Sequence, residues 1–418
     1  MTINSLPRVL MIIPQLGYGG AESSFLRLAK FLSNYYQVTI GLMTLSYGNE
    51  SYTNINLDIE LPIIFLDNQE KLNLIFPSKL LRWWGMLQKL KNVKSSYDLT
   101  ISFLSGTNLL NALSGSTSKT IISERGSKLY HTGITRWQKF LWLRVLDPFI
   151  YRRVDKIVAA SVDYMQEIIQ IGGKTITSKV ISIEGGIDLD NLISQINSEP
   201  DEDIAKFCNQ STAIYCGRLD NGKGIDLLLP VFSNICKIYP DARFLIIGDG
   251  PLKKTIIERC EKIGLSITTS GDPRASVFLA GYRSNPIRHF RLGNVFLMPS
   301  LHEGLCNALI EALLTGIPIL SSDYRWGARS ILAKESDLKN LPKEPVKKTK
   351  TVAYGTLMPL PVTPQALDIW SSEILRYLEH PPMRRNIDEC YLIASKFDID
   401  RVGLQWVKLI NSLIKHQN

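Results

Sequence analysis

Two glutamates eight positions apart, Glu303 and Glu311, stand in the stretch "PSLHEGLCNALIEALLTGIPILSSD", residues 299 to 323. The pattern predicts a strand ending at Pro299, a loop carrying Glu303 and Gly304, and a helix from Asn307 to Thr315. Gly316 ends that helix, and Pro318 enters the next strand. Gly304 permits close approach of a ligand. The N–H groups of Leu305, Cys306, Asn307 and Ala308 gather at the helix start, where a phosphate can be held. Glu311 is placed to accept two ribose hydroxyls, because a carboxylate has two acceptor oxygens. Glu303 would reach a sugar beyond the phosphate. The alternative is structural: a charge at a helix N-terminus is worth ~0.3–1 kcal/mol, and Glu311 would then be an exposed polar position. The surrounding "ALIEALLTG" is apolar on almost every side, so Glu311 is expected to be largely buried, where an unpaired carboxylate is costly.

Cations stand at corresponding places. "CGRLDNGKGIDLLL", residues 216 to 229, puts Arg218 and Lys223 just past a strand and before a helix starting near Ile225. Two cations at the mouth of a parallel sheet can neutralise a diphosphate, Arg bidentately. "IIGDGPLKK" repeats the strand-to-turn geometry with Gly248, Gly250 and Pro251. Near the start, "PQLGYGGAESS" places Gly17, Gly19 and Gly20 between the apolar run Arg8 to Ile13 and a helix with Phe25, Leu28, Ala29 and Leu32 on one face. A dinucleotide fingerprint needs a glycine where Glu22 stands, and that carboxylate would repel a pyrophosphate. The nicotinamide reading fails.

The elements that must position these residues alternate along the whole chain. In the first half, strand-like runs occur at 8–13, 37–43, 98–104, 119–123, 156–160 and 179–183; in the second, at 212–217, 243–250, 276–281, 294–300 and 317–323. Strands alternating with helices predict parallel sheets covered on both faces. With 418 residues and 45% hydrophobic content, the chain can bury two cores. The fold class is therefore α/β, with two Rossmann-like doubly wound domains facing across a cleft, their ligands beyond the carboxyl ends of the strands. The six cysteines all lie between 208 and 390 without a Cys-x-x-Cys spacing, against both a disulfide framework and a zinc site. No apolar run reaches the ~18 residues that span a bilayer.

The formal net charge is +9. It concentrates beside aromatics in "KLLRWWGMLQKLKNVK" (79–94) and "TRWQKFLWLRVLDPFIYRRVDK" (135–156), a mixture expected of interfacial helices on anionic lipid. An ordinary amphipathic helix with aromatics facing the core is the other reading. No nucleic-acid-binding motif accompanies the charge, so nucleic acid is not an expected partner. Asp-x-Asp matches at 188/190, 201/203 and 398/400 fall in linker-like or helix-entry segments and read as structural.

In order along the chain, the Gly-Gly-x-Glu turn (Gly19, Gly20, Glu22), "GGIDL", "GRLDNGKG", "IIGDGPL", "FLAGY", the Glu-x7-Glu pair and "ASKFDIDRVGLQWVKLI" resemble the retaining glycosyltransferases of family 4, which have the GT-B fold. The resemblance covers most of the chain. It implies transfer of a sugar from a nucleoside diphosphate, by family habit UDP, to an acceptor hydroxyl with retention and no metal or other cofactor. Arg218 and Lys223 would bind the donor diphosphate and Glu303 the transferred sugar. Gly19, Gly20, Gly248, Gly304 and the 305–307 amides would line the donor site, with Glu311 on the ribose. The polar, turn-rich stretch between the two series of strands reads as a linker at 191–210, which with the resemblance divides the chain into an N-terminal acceptor-side domain at 1–190, a nucleotide-sugar domain at 211–385, and C-terminal helices at 386–418 returning toward the first domain.

Departures from the family pattern narrow the acceptor. Where many relatives carry His-Asp, this chain has Ser123, Glu124 and Arg125, a version similar to the branch that extends lipid-linked or polysaccharide-repeat saccharides. Glu22, these three residues and His131 are the expected acceptor-side groups, a structural histidine being the other reading of His131. Ala328 and Ser330 replace a Gly-Pro-x-Glu contact, and the segment 335–351 is longer than usual. The expected location is cytoplasmic and peripheral on the inner membrane face. A GT-B enzyme of another reaction, such as an epimerase or phosphorylase, and a non-enzymatic binding subunit are the competing functions.

Overall fold

The computed structural model describes residues 6–17, 19–43, 46–47, 50–51, 60–67, 76–129, 134–208, 211–324 and 327–414. The chain divides into two compact units, one running through Asp188 and resuming at Phe397, the other from Leu189 to Lys396. Each is built on its own sheet.

The first unit contains β1 (Arg8–Ile13), β2 (Gln37–Leu42), a short ribbon of β3 (Ser46–Tyr47) and β4 (Glu50–Ser51), then β5 (Ile63–Phe65), β6 (Leu99–Phe103), β7 (Lys119–Glu124), β8 (Lys156–Ala159) and β9 (Val180–Ser182). Apart from the ribbon they form one parallel sheet in the order β5-β2-β1-β6-β7-β8-β9. Val9 to Ile13 are all buried, as a strand covered on both faces requires. The last helix, Ile399–Ile414, buries Val402, Trp406, Leu409 and Ile410 in this core. Trp406 stacks on Phe103 with centroids 6.1 Å apart, and the Tyr36 hydroxyl donates to Asn411 Oδ1 at 3.0 Å.

The second unit contains β10 (Thr212–Cys216), β11 (Arg243–Ile247), β12 (Ile267–Thr268), β13 (Val277–Gly281), β14 (Val295–Met298), β15 (Ile319–Ser322), β16 (Lys350–Val352) and β17 (Gly355–Met358). Their order is β12-β13-β11-β10-β14-β15-β17-β16, parallel except for the edge strand β16. β10, β11, β14 and β15 are buried throughout. Both units are thus doubly wound α/β.

The segment 191–210, read from its polar composition as a linker, contains helix Glu202–Phe207 and most of helix Leu189–Ile196. Two of its acidic residues have partners elsewhere in the unit: Asp201 and Asp203 pair with Arg283 at 3.2 and 2.6 Å, and Asp201 also pairs with Arg288. Phe207 is fully buried against Phe278 at 5.3 Å. Polarity here reports ion pairing rather than loose chain.

Candidate active site

In the second unit four neighbouring strands, β11, β10, β14 and β15, end side by side, and the loops leaving them carry the chemistry. Glycines set how closely those loops pack. Gly224 has φ +63°, and a Cβ there would run into the Pro299 carbonyl, while Leu301 N–H donates to Gly222 O at 2.9 Å. The loop after β10 therefore lies flat on the loop after β14. Gly248, at φ +145°, is pressed in the same way against the Gly217 carbonyl. Leu219 N–H donates to Asp249 O at 2.9 Å, and Leu252 N–H returns to Leu219 O at 3.0 Å.

This packing brings Lys223 and Glu303, 80 residues apart, into a direct ion pair. Their side chains are 24% and 11% exposed, so both are partly shielded yet reachable. The Ser300 hydroxyl donates to the same Glu303 oxygen at 3.0 Å. Burial works against the Lys223 charge, but the adjacent Glu303 carboxylate more than reverses this and holds its pKa above the ordinary lysine value. Arg218 is different. Its side chain is 58% exposed, with Asp220 at 3.5 Å, and its carbonyl accepts from Tyr215 Oη at 3.0 Å. It is an exposed cation on a pinned backbone.

Helix Asn307–Leu314 starts beside this pair. No side chain caps it. The first bonds run from Leu309 and Ile310 to the Cys306 carbonyl, at 3.1 and 3.4 Å, so the Asn307 and Ala308 N–H groups precede the intrahelical ladder. Leu305 and Gly304 are half-buried in the loop before it. The helix buries Leu309, Ile310, Ala312, Leu313 and Leu314, leaving Asn307, Ala308 and Glu311 along one partly open stripe. Glu311 is therefore partly buried rather than an exposed polar position: in an eight-residue helix the single open stripe falls on it. Cys306 contributes its backbone only, since burial and then Glu303 push its thiol up to about 12, and its sulfur lies 3.8 Å from Met298 Sδ. Two residues the sequence reading missed complete the edge. His302 lies over Gly222, and Asp323 is buried and gripped by Arg329 at 2.6 and 2.7 Å. Arg329 also donates to Glu344 O at 3.0 Å, and Asp323 accepts from Val346 N–H at 2.8 Å, which fastens part of the long 335–351 segment to the end of β15.

In the first unit, Gly19 caps helix Gly20–Leu32, and the Glu22 carboxylate folds back over Gly19. A negative side chain thus covers that helix start. The ends of β6 and β7 lie side by side. Leu104, directly after β6, has φ 74° and ψ 154°, a region that costs a side-chain-bearing residue ~1–3 kcal/mol. Nothing in the sequence signals this strain, because the residue is not glycine. Ser123 is fully buried, and Arg125 stacks over the Phe103 ring at 4.5 Å, where burial lowers its pKa to about 10. Among the described residues, Ser123 Oγ and Arg125 Nε are buried without a hydrogen-bond partner. Glu124 instead turns inward, and Lys128 bridges it at 3.4 Å to Asp147 at 2.7 Å. His131 lies outside the described residues.

Residues 210–346 match the family model described as "Glycosyl transferases group 1". The chain is 26% identical over 381 residues to an uncharacterised glycosyltransferase of Methanocaldococcus jannaschii, covering 84% of this chain and 88% of that one. It is 25% identical over 337 residues to the N-acetylgalactosamine-N,N'-diacetylbacillosaminyl-diphospho-undecaprenol 4-alpha-N-acetylgalactosaminyltransferase of Campylobacter jejuni, covering 78% and 83%. Among solved structures, Anabaena HepE in complex with UDP superposes with a TM-score of 0.70 at 17% identity, over 97% of this chain and 100% of that one. A sugar-transfer family model over the loops that hold Lys223, Glu303 and Glu311, relatives along most of the chain and a shared fold agree: this chain is a glycosyltransferase with the GT-B fold, similar to those of family 4.

Proposed function

We propose that this glycosyltransferase moves a sugar from a UDP donor to a lipid-linked or polysaccharide-repeat saccharide, with retention at the anomeric carbon and no metal cofactor. The observation that carries the reading is the shared edge of Lys223, Glu303, the uncapped start of helix Asn307–Leu314 and the Glu311 stripe. In such a transfer the bond between the anomeric carbon and the diphosphate breaks and negative charge grows on the departing group. Lys223, Arg218 and the Asn307 and Ala308 amides supply positive charge and dipoles for it. Glu311 takes the ribose hydroxyls. Glu303, which holds Lys223 in the resting protein, would accept from the hydroxyls of the transferred sugar once Lys223 turns to phosphate.

The lipid-linked acceptor is supported by the Campylobacter relative, whose name gives an undecaprenol-linked acceptor. Ser123 Oγ and Arg125 Nε, buried without a partner near strained Leu104, are polar groups still to be satisfied on the proposed acceptor side. No described helix is long and apolar enough to cross a membrane, so work at the cytoplasmic face of an anionic membrane would be peripheral. The test is a screen of radiolabelled nucleotide sugars against a polyprenyl-diphosphate-linked acceptor extract, with and without EDTA, reading the anomeric configuration of the product by NMR. Turnover unchanged by EDTA with the donor's configuration kept supports the reading. Loss of turnover with EDTA, or inversion, refutes it.

A further inference from the structure

The geometry points to the helical segment Arg136–Arg153 as the surface that lies in an anionic bilayer, with Trp137, Phe140, Leu141, Val145 and Phe149 entering the headgroup and acyl boundary. The segment comprises helix Arg136–Leu141, a π-helical turn Trp142–Leu146 and helix Asp147–Arg153. None of its first eleven residues is buried. A helix of a water-soluble domain normally turns its apolar stripe to the core. This one turns it outward: Trp137 is 70% exposed, Phe140 53% and Val145 50%, with Leu141 and Phe149 also exposed at three- to four-residue intervals. Large contiguous apolar exposure of this kind marks an interaction surface.

Charge selects the occupant. Arg136, Arg144, Arg152 and Arg153 are exposed along the same segment, and its one acid, Asp147, is buried. Five basic residues against one hidden carboxylate, interleaved with aromatics, complement anionic headgroups over an acyl layer. The segment is also braced from below. Lys128 bridges Asp147 at 2.7 Å to Glu124 at the end of β7 and lies 5.0 Å from the Trp142 ring, and Ile150 and Tyr151 are buried. The aromatic face is thus presented on a fixed base. The other basic, aromatic stretch behaves differently. In helix Phe76–Lys94, Met86 and Leu90 are buried in a core cluster and Trp83 packs on it, although Leu81 and Trp84 are exposed.

This inference rests on the membrane part of the proposed function and not on the sugar chemistry. The test is sedimentation of the full chain with sucrose-loaded vesicles, either phosphatidylcholine alone or a phosphatidylglycerol mixture. The triple variant Trp137→Ser, Phe140→Ser, Val145→Ser should lose at least tenfold in partitioning onto anionic vesicles, with unchanged circular dichroism and UDP affinity. Leu81→Ser with Trp84→Ser should change it less than twofold. Each Arg136→Gln, Arg144→Gln or Arg152→Gln should cost about fivefold. If the wild type binds anionic vesicles and the triple variant binds equally well, the segment is wrong and the membrane reading stands. Should the wild type bind no vesicle at all, the membrane reading falls too. A concentration-dependent dimer in light scattering that the triple variant dissolves would make this face a protein interface and overturn the proposal.

Discussion

Replacing Lys223 by methionine separates the transition-state role of the ammonium from its structural one. In the resting protein Lys223 is ion-paired with Glu303, with side chains 24% and 11% exposed. Exposed pairs contribute ~0–1 kcal/mol, whereas breaking a fully buried one costs ~3–5 kcal/mol. Partial shielding and the Ser300 hydroxyl, which continues to satisfy Glu303, place Lys223→Met at about 1–2 kcal/mol of stability. The kinetic effect should be larger, since removing one preorganised group that stabilises developing charge costs ~10²–10³ in kcat. Steady-state turnover of the donor identified by the screen, with calorimetric titration of UDP, reads both. Lys223→Arg should recover part of kcat, because the charge survives while its reach changes. A pH series adds a second arm. Because Lys223 titrates above 10.5, its stabilising charge is fully present below that value and is lost only as pH rises through the higher folded pKa. Wild-type kcat should therefore show no Lys223 step between pH 6 and 9. In Glu303→Gln the largest influence opposing burial is removed, so the alkaline loss should move to lower pH. A Lys223→Met enzyme within fivefold of wild-type kcat, still folded, would refute the assigned role.

Glu311→Gln should weaken UDP binding by about 10–100-fold, the loss of charge-assisted hydrogen bonds, with melting temperature nearly unchanged because the side chain is only half-buried; equal UDP affinity by calorimetry would remove Glu311 from the ribose. Gly224→Ala places a Cβ against the Pro299 backbone at φ +63°, and should cost ~1–3 kcal/mol and lower turnover by displacing Lys223. Differential scanning calorimetry with UDP titration checks this, and an alanine variant as stable and active as wild type would show that the two loops do not need that contact. Lys94 is buried, donating to Asn111 O and Thr120 Oγ1 at 3.1 Å, and burial lowers its pKa from 10.5 to about 8. A depressed lysine favours folding above 10.5 and loses that benefit as pH falls toward 8, a span worth about 3 kcal/mol. Denaturant unfolding at pH 7.5 and 9.5 should show this slope in wild type and its loss in Lys94→Met.

The strands carrying these sites are legible because a doubly covered parallel strand has no exposed face, so it reads as an unbroken apolar run such as "RVLMII" or "RFLIIG". β16 and β17 escape the same reasoning. "KTV" and "GTLM" are short, and β16 is an exposed antiparallel edge with Lys350 and Thr351 open to solvent. At the site, residue types are legible because parallel strands deliver all their carboxyl ends to one edge, so Arg218, Lys223, Glu303 and Glu311 had to fall near one another. Which of them touch is a different matter. Gly224 on the Pro299 carbonyl and Gly248 on the Gly217 carbonyl decide that Lys223 meets Glu303. Such backbone contacts between distant loops leave no period in the chain; only the glycine half of each is visible, and its partner can be any carbonyl. The same holds for Arg329, which binds one side-chain carboxylate and backbone carbonyls of the 335–351 segment. Because a backbone acceptor has no residue type, the length of that insertion could be read in advance but its anchorage could not. Strained Leu104 is illegible for a related reason: its φ is imposed by the sheet edge around it, and a leucine carries no mark of the conformation it is forced to adopt.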